Sequence, residues 1–368
     1  MIKMAQETLL EIDLPALKSN FEYLRSKIKP STKFMAVVKA YAYGSDASQI
    51  AGYLEKLDVD YFAVAYTEEG IALRKAGITK PILVLHPLPV HFKEIITYKL
   101  EPSLYSFKTL NDFLKAAENE KQYPVHLKFN SGLNRLGFKK QDADKIITLL
   151  NNSESVSVTS VFSHLMASED SNEKDFTLQQ INIFKEISIK LIDKLKNKPL
   201  LHILNTSGIL NYADIAQFDM VRSGIGLYGF GNDEKYNPFL KPVVSLKSVI
   251  SQIHEIEKGE SVGYNRGFVA KSSMRTATVP LGHADGIGRQ YGQGKSFLTV
   301  HGQKCPIVGN VCMDMLMIDV TNVACEEGDE ILVFGQNPTA SEFASWAGTI
   351  SYELISAISQ RVKREIIF

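Results

Sequence analysis

Cysteine is scarce in this chain of 368 residues, and its three copies, Cys305, Cys312 and Cys325, all fall in the last quarter. They lack the paired spacing of metal ligands, and an odd count argues against a disulfide framework. No metal site is expected. Neither sign of charge prevails: 41 basic and 41 acidic residues balance and are interleaved without blocks. That excludes the global field that draws nucleic acid or an anionic membrane to a protein. No stretch approaches the run of about eighteen apolar residues that a membrane-spanning helix needs. The segment Met1–Thr8 shows neither an apolar leader core nor a cleavage site. Internal repeats and low-complexity segments are missing as well. A reduced, cytoplasmic protein is the expectation, and any anionic ligand must be held by a local site.

The composition is that of an ordinary soluble enzyme, 45% hydrophobic and 22% charged, and the length allows a large core and two domains. Leu14, Leu17, Phe21, Leu24 and Ile28 recur at helical spacing behind a candidate Asp13 cap, with Pro15 in the first turn. Beyond them, short apolar runs alternate with longer amphipathic ones. Strands are expected at 34–38, 61–65, 82–86, 101–105, 125–129, 158–163, 200–204 and 219–222. Helices such as 47–56, 67–76, 108–119, 141–150 and 175–195 lie between them. Eight strand–helix units within about 230 residues fit a (β/α)8 TIM barrel. A doubly wound open sheet is the rival, but no Gly-x-Gly-x-x-Gly turn follows the first strand. Past Tyr228–Pro238 the texture changes. Residues 243–253, 296–300, 307–320 and 330–334 read as strands punctuated by Gly259, Gly302, Gly309 and Gly328, as in a mostly antiparallel β-domain. A closing helix is expected around 341–360. The boundary falls near 238, giving a barrel over 1–238 and a β-domain over 239–368, with the first few residues candidates to pair with the β-domain.

Lys39 ends the apolar run Phe34–Val38 and is followed by Ala40-Tyr41-Ala42-Tyr43-Gly44. A lone strand-end lysine ordinarily snorkels to solvent. In a (β/α)8 barrel, however, the carboxyl ends of the strands carry the active site, and other polar residues fall at those ends. Arg135 follows strand five, His164 ends strand six, Asn205, Thr206, Ser207 and Gly208 follow strand seven, and Arg222, Ser223, Gly224 and Ile225 follow strand eight. The loops after strands seven and eight are where this fold most often binds phosphate. The hydroxyls of Thr206 and Ser207 and the backbone N–H groups near Gly208, Gly224 and Ile225 are suited to cradle one. A buried lysine amine forms a Schiff base with a carbonyl. A phosphorylated aldehyde cofactor facing a lysine points to pyridoxal 5′-phosphate.

Several segments, in order and nearly end to end, resemble the alanine racemases, fold-type III pyridoxal-phosphate enzymes in which a barrel precedes a β-domain. Val38-Lys39-Ala40-Tyr41-Ala42-Tyr43-Gly44 resembles the Schiff-base lysine motif, and Ser131–Phe138 the arginine loop. Asp219–Ile225 is similar to the cofactor-ring segment, and Val311-Cys312-Met313-Asp314 to the substrate-entrance segment. Tyr264, in Ser261-Val-Gly-Tyr-Asn, matches the family's second base, and Tyr352 a tyrosine lining the cofactor and substrate entrance. The resemblance implies that Lys39 binds the cofactor and then exchanges the α-proton on one face, while Tyr264 does so on the other. Racemisation needs a base on each face or one that reaches both. In this family the tyrosine belongs to the other subunit, so a head-to-tail homodimer is implied. Arg222 is implied to face the pyridine nitrogen, His164 to support it, Tyr43 to hold the phosphate, and Arg135 with the Met313 backbone to hold the substrate carboxylate. Lys128 matches a position often carbamylated, where the new anion pairs with the arginine read here as Arg135.

The chain departs from the family pattern at four places. Tyr41 and Ser45-Asp46 replace the more usual Asn and His-Gly, and Ser223 replaces a common proline. His283 stands where a tyrosine of the entrance corridor is common. None removes a catalytic group. The reading is an alanine racemase supplying D-alanine for peptidoglycan. The alternatives are a racemase of serine or of a broader amino-acid set, a non-catalytic pyridoxal-phosphate barrel and a decarboxylase of the same architecture. Such barrels typically lack the β-domain and its Tyr264, and the decarboxylases lack this pairing of Arg222 and Tyr264.

Overall fold

Alternation of apolar and amphipathic segments gives eight strand–helix units in a ring. The structure, a computed structural model, describes residues 7–368; Met1–Gln6, part of the segment read above for a leader and for pairing with the β-domain, lie outside the described residues. Strand β1 (Leu9–Asp13) leads into helix Leu14–Arg25, whose first turn holds Pro15. The Asp13 carboxylate caps that helix, accepting from Ala16 N at 2.7 Å. Eight parallel strands follow: β2 (Lys33–Val37), β3 (Tyr61–Val64), β4 (Ile82–Val84), β5 (Glu101–Leu104), β6 (Tyr123–Lys128), β7 (Val156–Phe162), β8 (Leu200–His202) and β9 (Met220–Ser223). Each pairs with the next as far as β8, and β9 pairs with β2, Lys33 opposite Met220 and Ala36 opposite Ser223. Asp219 N to Leu201 O and Arg222 N to Leu204 O, each 3.1 Å, close the ring between β9 and β8. β3, β4 and β5 are buried along their whole length, as strands covered on both faces must be.

The remaining strands are β10 (Val244–Val249), β11 (Gln252–Ile256), β12 (Ser261–Val262), β13 (Phe268–Val269), β14 (Met274–Val279), β15 (Phe297–Val300), β16 (Gln303–Val308), β17 (Leu316–Asp319), β18 (Glu330–Phe334) and β19 (Lys363–Ile367). Together with β1, all but β12 and β13 form a nine-stranded sheet in the order β11-β14-β17-β16-β15-β18-β10-β1-β19. β1 lies between β10, antiparallel, and β19, parallel. The run 307–320, read as continuous strand, is broken: Gly309 turns at φ +66°, and residues 309–315 form a loop carrying Cys312, Met313 and Asp314. The closing helix is likewise two, Ala340–Trp346 and Ser351–Ala357, separated at Gly348 with φ +72°.

The segment after β2 departs most from expectation. Ala40, Tyr41, Ala42 and Tyr43 have φ of 52°, 54°, 55° and 56°, a left-handed turn that costs L-residues about 1–2 kcal/mol each. Its surroundings hold it. Ala40 N donates to Glu69 Oε1 at 2.6 Å. Gly44 (φ +81°) packs so closely on helix Ser351–Ala357 that a Cβ there would collide with Ile355 O. Arg364 Nη2 donates to Gly44 O at 2.8 Å. Asp46, one of the departures from the family pattern, caps helix Ala47–Lys56 by accepting from Ser48 N and Gln49 N at 3.0 Å. Tyr41 is 61% exposed, so little packing depends on it, and asparagine tolerates positive φ better. Tyr41→Asn is expected to raise stability by about 0.5–1 kcal/mol, seen as a higher denaturation midpoint at unchanged slope. An unchanged or lower midpoint would show that this turn is not strained.

Candidate active site

The carboxyl rim of the barrel opens on a cavity of about 710 Å³ lined by Lys39, Tyr43, Lys128, Arg135, His164, Asn205, Thr206, Ser207, Arg222, Gly224, Ile225 and Tyr352, among others. Twelve of the residues singled out from sequence thus meet in one place. A larger hollow of about 1020 Å³ adjoins it, sharing Asn232 and Tyr352. Lys39 stands two residues past the end of β2, half-buried. Burial lowers its pKa, the Arg135 charge adds to that, and the Glu69 carboxylate opposes it.

Arg222 is almost fully buried on β9, its guanidinium 5.3 Å over the Phe162 ring. Nη1 donates to His202 Nδ1, and Nη2 to Ser163 O at 2.7 Å, His164 Nδ1 at 3.2 Å and Ile203 O at 3.4 Å. Burial lowers its pKa, but a guanidinium stays protonated at neutral pH. The pKa values of His164 and His202 are driven well below the ordinary range by burial and then by the Arg222 charge. Both are neutral acceptors for arginine N–H groups.

The helix Thr206–Ala216, absent from the sequence reading, aims its amino end at the cavity. Asn205 caps it, its Oδ1 accepting from Gly208 N at 2.9 Å. Thr206 Oγ1 meets Ser223 Oγ at 3.0 Å, which gives the unusual serine a partner. Gly224 has no Cβ because one would collide with the Tyr43 hydroxyl. Burial raises the Tyr43 pKa and pushes that of Tyr352 up to about 12; both are neutral O–H donors. Arg135 rides an exposed loop shaped by Asn130, whose Oδ1 accepts from Gly132 N at 3.1 Å and Asn134 N at 3.0 Å.

Tyr264, His283, Cys312, Met313 and Asp314 are elsewhere. They line two surface hollows of about 490 and 510 Å³ in the C-terminal part of the chain, and no residue of these lines the Lys39 cavity. Tyr264 is 75% exposed and Met313 60%. The loop is fastened from below: His283 N donates to Cys312 O at 2.9 Å, Ala284 N to Met313 O at 3.0 Å, and Arg361 Nη2 to Asp314 Oδ1 at 2.6 Å.

Three residues were missed. Glu69 holds the ends of both β2 and β3 in register, accepting from Ala40 N and Ala65 N at 2.6 Å; its place in the first turn of helix Thr67–Lys75 was the available signal. His202 sits in a strand that was recognised, facing inward, but had received no role. Asn232 donates to Ser207 Oγ at 3.1 Å and to Tyr352 Oη at 2.9 Å; nothing in its local sequence marks it.

A closed (β/α)8 barrel carrying a buried lysine and a cationic cavity on its carboxyl rim, followed by a mostly antiparallel β-domain, defines the class: a barrel enzyme with an appended β-domain. Residues 12–231 match the family described as "Alanine racemase, N-terminal domain", and residues 243–366 match "Alanine racemase, C-terminal domain". The alanine racemase of Treponema denticola is 36% identical over 377 residues, covering 97% of this chain and 97% of that protein. Among solved structures, an alanine racemase of Clostridium difficile superposes with a TM-score of 0.92 at 33% identity, covering 99% of this chain and 97% of that one. Another, from Bartonella henselae with covalently bound pyridoxal phosphate, has a TM-score of 0.90 at 28% identity, covering 98% and 100%. The chain belongs to the alanine racemase family and is an enzyme of it. Among the described residues no helix is long and apolar enough to cross a membrane.

Lys128 records the electrostatics of the cavity. Burial and the charges of Arg222, Arg135 and Lys39 push its pKa from 10.5 down to about 8. A lowered pKa means that the unfolded chain takes up the proton first. The contribution of Lys128 to stability is therefore most favourable above pH 10.5, is lost as pH falls to about 8, and falls no further below. Lys128→Met is expected to stabilise the ligand-free protein at pH 7 by roughly 2–3 kcal/mol, a gain that shrinks as pH rises from about 8 towards 10.5. Denaturant midpoints of the two proteins across that range check it, and equal stability at pH 7 would contradict it.

Proposed function

We propose that this enzyme interconverts L- and D-alanine, using pyridoxal 5′-phosphate and two bases, Lys39 and Tyr264, on opposite faces of the substrate. The observation that carries the reading is the convergence of Lys39, Lys128, Arg135 and Arg222 with a helix amino terminus on one cavity. That arrangement suits a phosphate and a carboxylate held side by side. The residues fit the cofactor. The space Gly224 leaves for the Tyr43 hydroxyl, the helix end at Thr206 and Ser207, and the backbone at Gly224 and Ile225 make a phosphate cradle. Arg222, whose nearest partners are neutral acceptors, would face the ring nitrogen, with His164 behind it. Asn205 and Tyr352 would complete the wall.

Bound there, the cofactor supplies an electron-withdrawing ring that acidifies the α-hydrogen of an amino acid joined to its aldehyde carbon. Lys39 Nζ would hold the cofactor and serve as the base for the α-proton on one face; its lowered pKa enlarges the neutral fraction that this needs. Tyr264 Oη carries the proton on the other face. The Arg135 guanidinium and the Met313 backbone orient the carboxylate. Arg222 keeps its protons, so it would offer the ring nitrogen a hydrogen bond without protonating it, which would restrain side reactions such as transamination.

Tyr264 would come from a second copy of the chain in a head-to-tail homodimer, since its hollows and the Lys39 cavity share no residue. On this reading residues 1–238 are the cofactor-binding barrel, and residues 239–368 deliver Tyr264 with His283, Cys312 and Asp314 around the substrate entrance. The lowered pKa of Lys128 enlarges the neutral fraction of its amine that carbamate formation needs, and a carbamate would set an anion beside Arg135. The product, D-alanine, would serve peptidoglycan synthesis in the cytoplasm. The test is Tyr264→Phe loaded with cofactor. Borohydride should still fix the cofactor to Lys39. Exchange of the α-hydrogen with solvent deuterium should persist from one enantiomer and fall by about 10²-fold or more from the other. Unimpaired racemisation by this variant would remove Tyr264 from the chemistry.

A further inference from the structure

A (β/α)8 barrel is ordinarily filled by layers of branched apolar side chains. Here five polar residues, one from each of β5 to β9, cross the core in a single chain. Glu101 Oε2 lies 2.7 Å from His126 Nε2, His126 Nδ1 lies 2.6 Å from Ser160 Oγ, and Ser160 Oγ lies 2.8 Å from His202 Nε2; His202 Nδ1 meets Arg222 Nη1. His126, Ser160 and His202 are wholly buried, Arg222 is 4% exposed and Glu101 9%. Burying this much polarity is unfavourable unless every group is satisfied.

The chemistry of the two ends fixes the direction of every bond between them. A guanidinium has only donors, so His202 Nδ1 must accept, and the neutral ring carries its hydrogen on Nε2. That hydrogen goes to Ser160 Oγ. Ser160 passes its own to His126 Nδ1, which leaves His126 with its hydrogen on Nε2, directed at the Glu101 carboxylate. A carboxylate only accepts, so the series ends there with every member paired. The Tyr61 hydroxyl feels the same carboxylate: burial raises its pKa and the Glu101 charge adds to that. Among the described residues no carboxylate hydrogen-bonds Arg222 directly, and Glu101 supplies the balancing charge through three polarised groups.

We propose that Glu101, His126 and Ser160 are positioning residues for Arg222, locking His202 in the tautomer that accepts from the guanidinium and thereby fixing how that group is presented to the cavity. The lock is a property of the chain itself, whereas its bearing on turnover rests on the assignment of Arg222 to the cofactor ring. The test is nitrogen NMR of the full chain labelled with 15N-histidine, both as purified and after cofactor removal. Both His126 and His202 are expected to be neutral, protonated on Nε2 and bare on Nδ1. Ser160→Ala should give His202 a mixture of tautomers and lower kcat for alanine by about tenfold, the scale on which an outlying hydrogen bond acts through the group it orients. KM should change little, and Ser160→Thr should restore both signals.

A His202 protonated on Nδ1 in the parent protein overturns the proposal whether or not any variant folds. So does a Ser160→Ala protein with unchanged spectrum and kcat. A parent protein that shows the lock but does not racemise alanine would instead refute the functional reading and leave the lock standing.

Discussion

Positive charge crowded at one cavity, with no carboxylate among the residues that line it, governs this site. Lys39, Lys128, Arg135 and Arg222 face one cavity, and the carboxylate of Glu69, which bears on Lys39, is engaged with backbone N–H groups. From this condition several properties follow together. The amines of Lys39 and Lys128 titrate low and become available as base or nucleophile. The histidines beside Arg222 stay neutral and accept its hydrogen bonds. The guanidinium, which cannot yield its proton in this way, remains the fixed charge around which the rest is set. An anionic ligand entering such a cavity relieves the repulsion that the empty protein sustains, so binding and stability are linked.

The charges keep their positions because the backbone near them has little freedom. Lys39 follows a strand buried in the ring and precedes four left-handed residues that an unsupported chain would avoid. Glu69 grips the start of that turn, and Gly44, Ile355 and Arg364 clamp its end. Distant parts of the chain, including the last strand's Arg364, therefore help to aim a lysine near residue 40. Strain held by its surroundings is a common device where a catalytic group must be pointed.

Much of this was legible in the sequence. All eight barrel strands could be read, 101–105 the weakest because Glu101-Pro102-Ser103 interrupts the apolar pattern, and strand order alone placed Lys39, His164, Thr206 and Arg222 at one rim, because parallel strands expose their carboxyl ends together. The left-handed turn was not legible: Ala40-Tyr41-Ala42-Tyr43 carries no residue that favours positive φ, and the conformation is imposed by contacts with Glu69 and Ile355. Helix Thr206–Ala216 was hidden because Thr206, Ser207 and Gly208 read as loop residues, whereas Asn205 caps them into a helix. Residues 307–320 looked like one strand because apolar residues resume after Gly309-Asn310 and again after Asp314. The partners of Arg222 beyond His164 could not be found from spacing, because they come from separate strands that meet only inside the ring.

Two groups of site residues on one chain, sharing no lining residue, make the central claim one about assembly: the proposed chemistry would need Lys39 from one copy and Tyr264 from another. Mixing two inactive variants, Lys39→Ala and Tyr264→Phe, tests it most directly. In a two-fold dimer each mixed pair contains one intact site and one doubly defective site, so a statistically exchanged equal mixture should recover about a quarter of the parent activity. No recovery in a sample shown to contain mixed dimers would contradict the account.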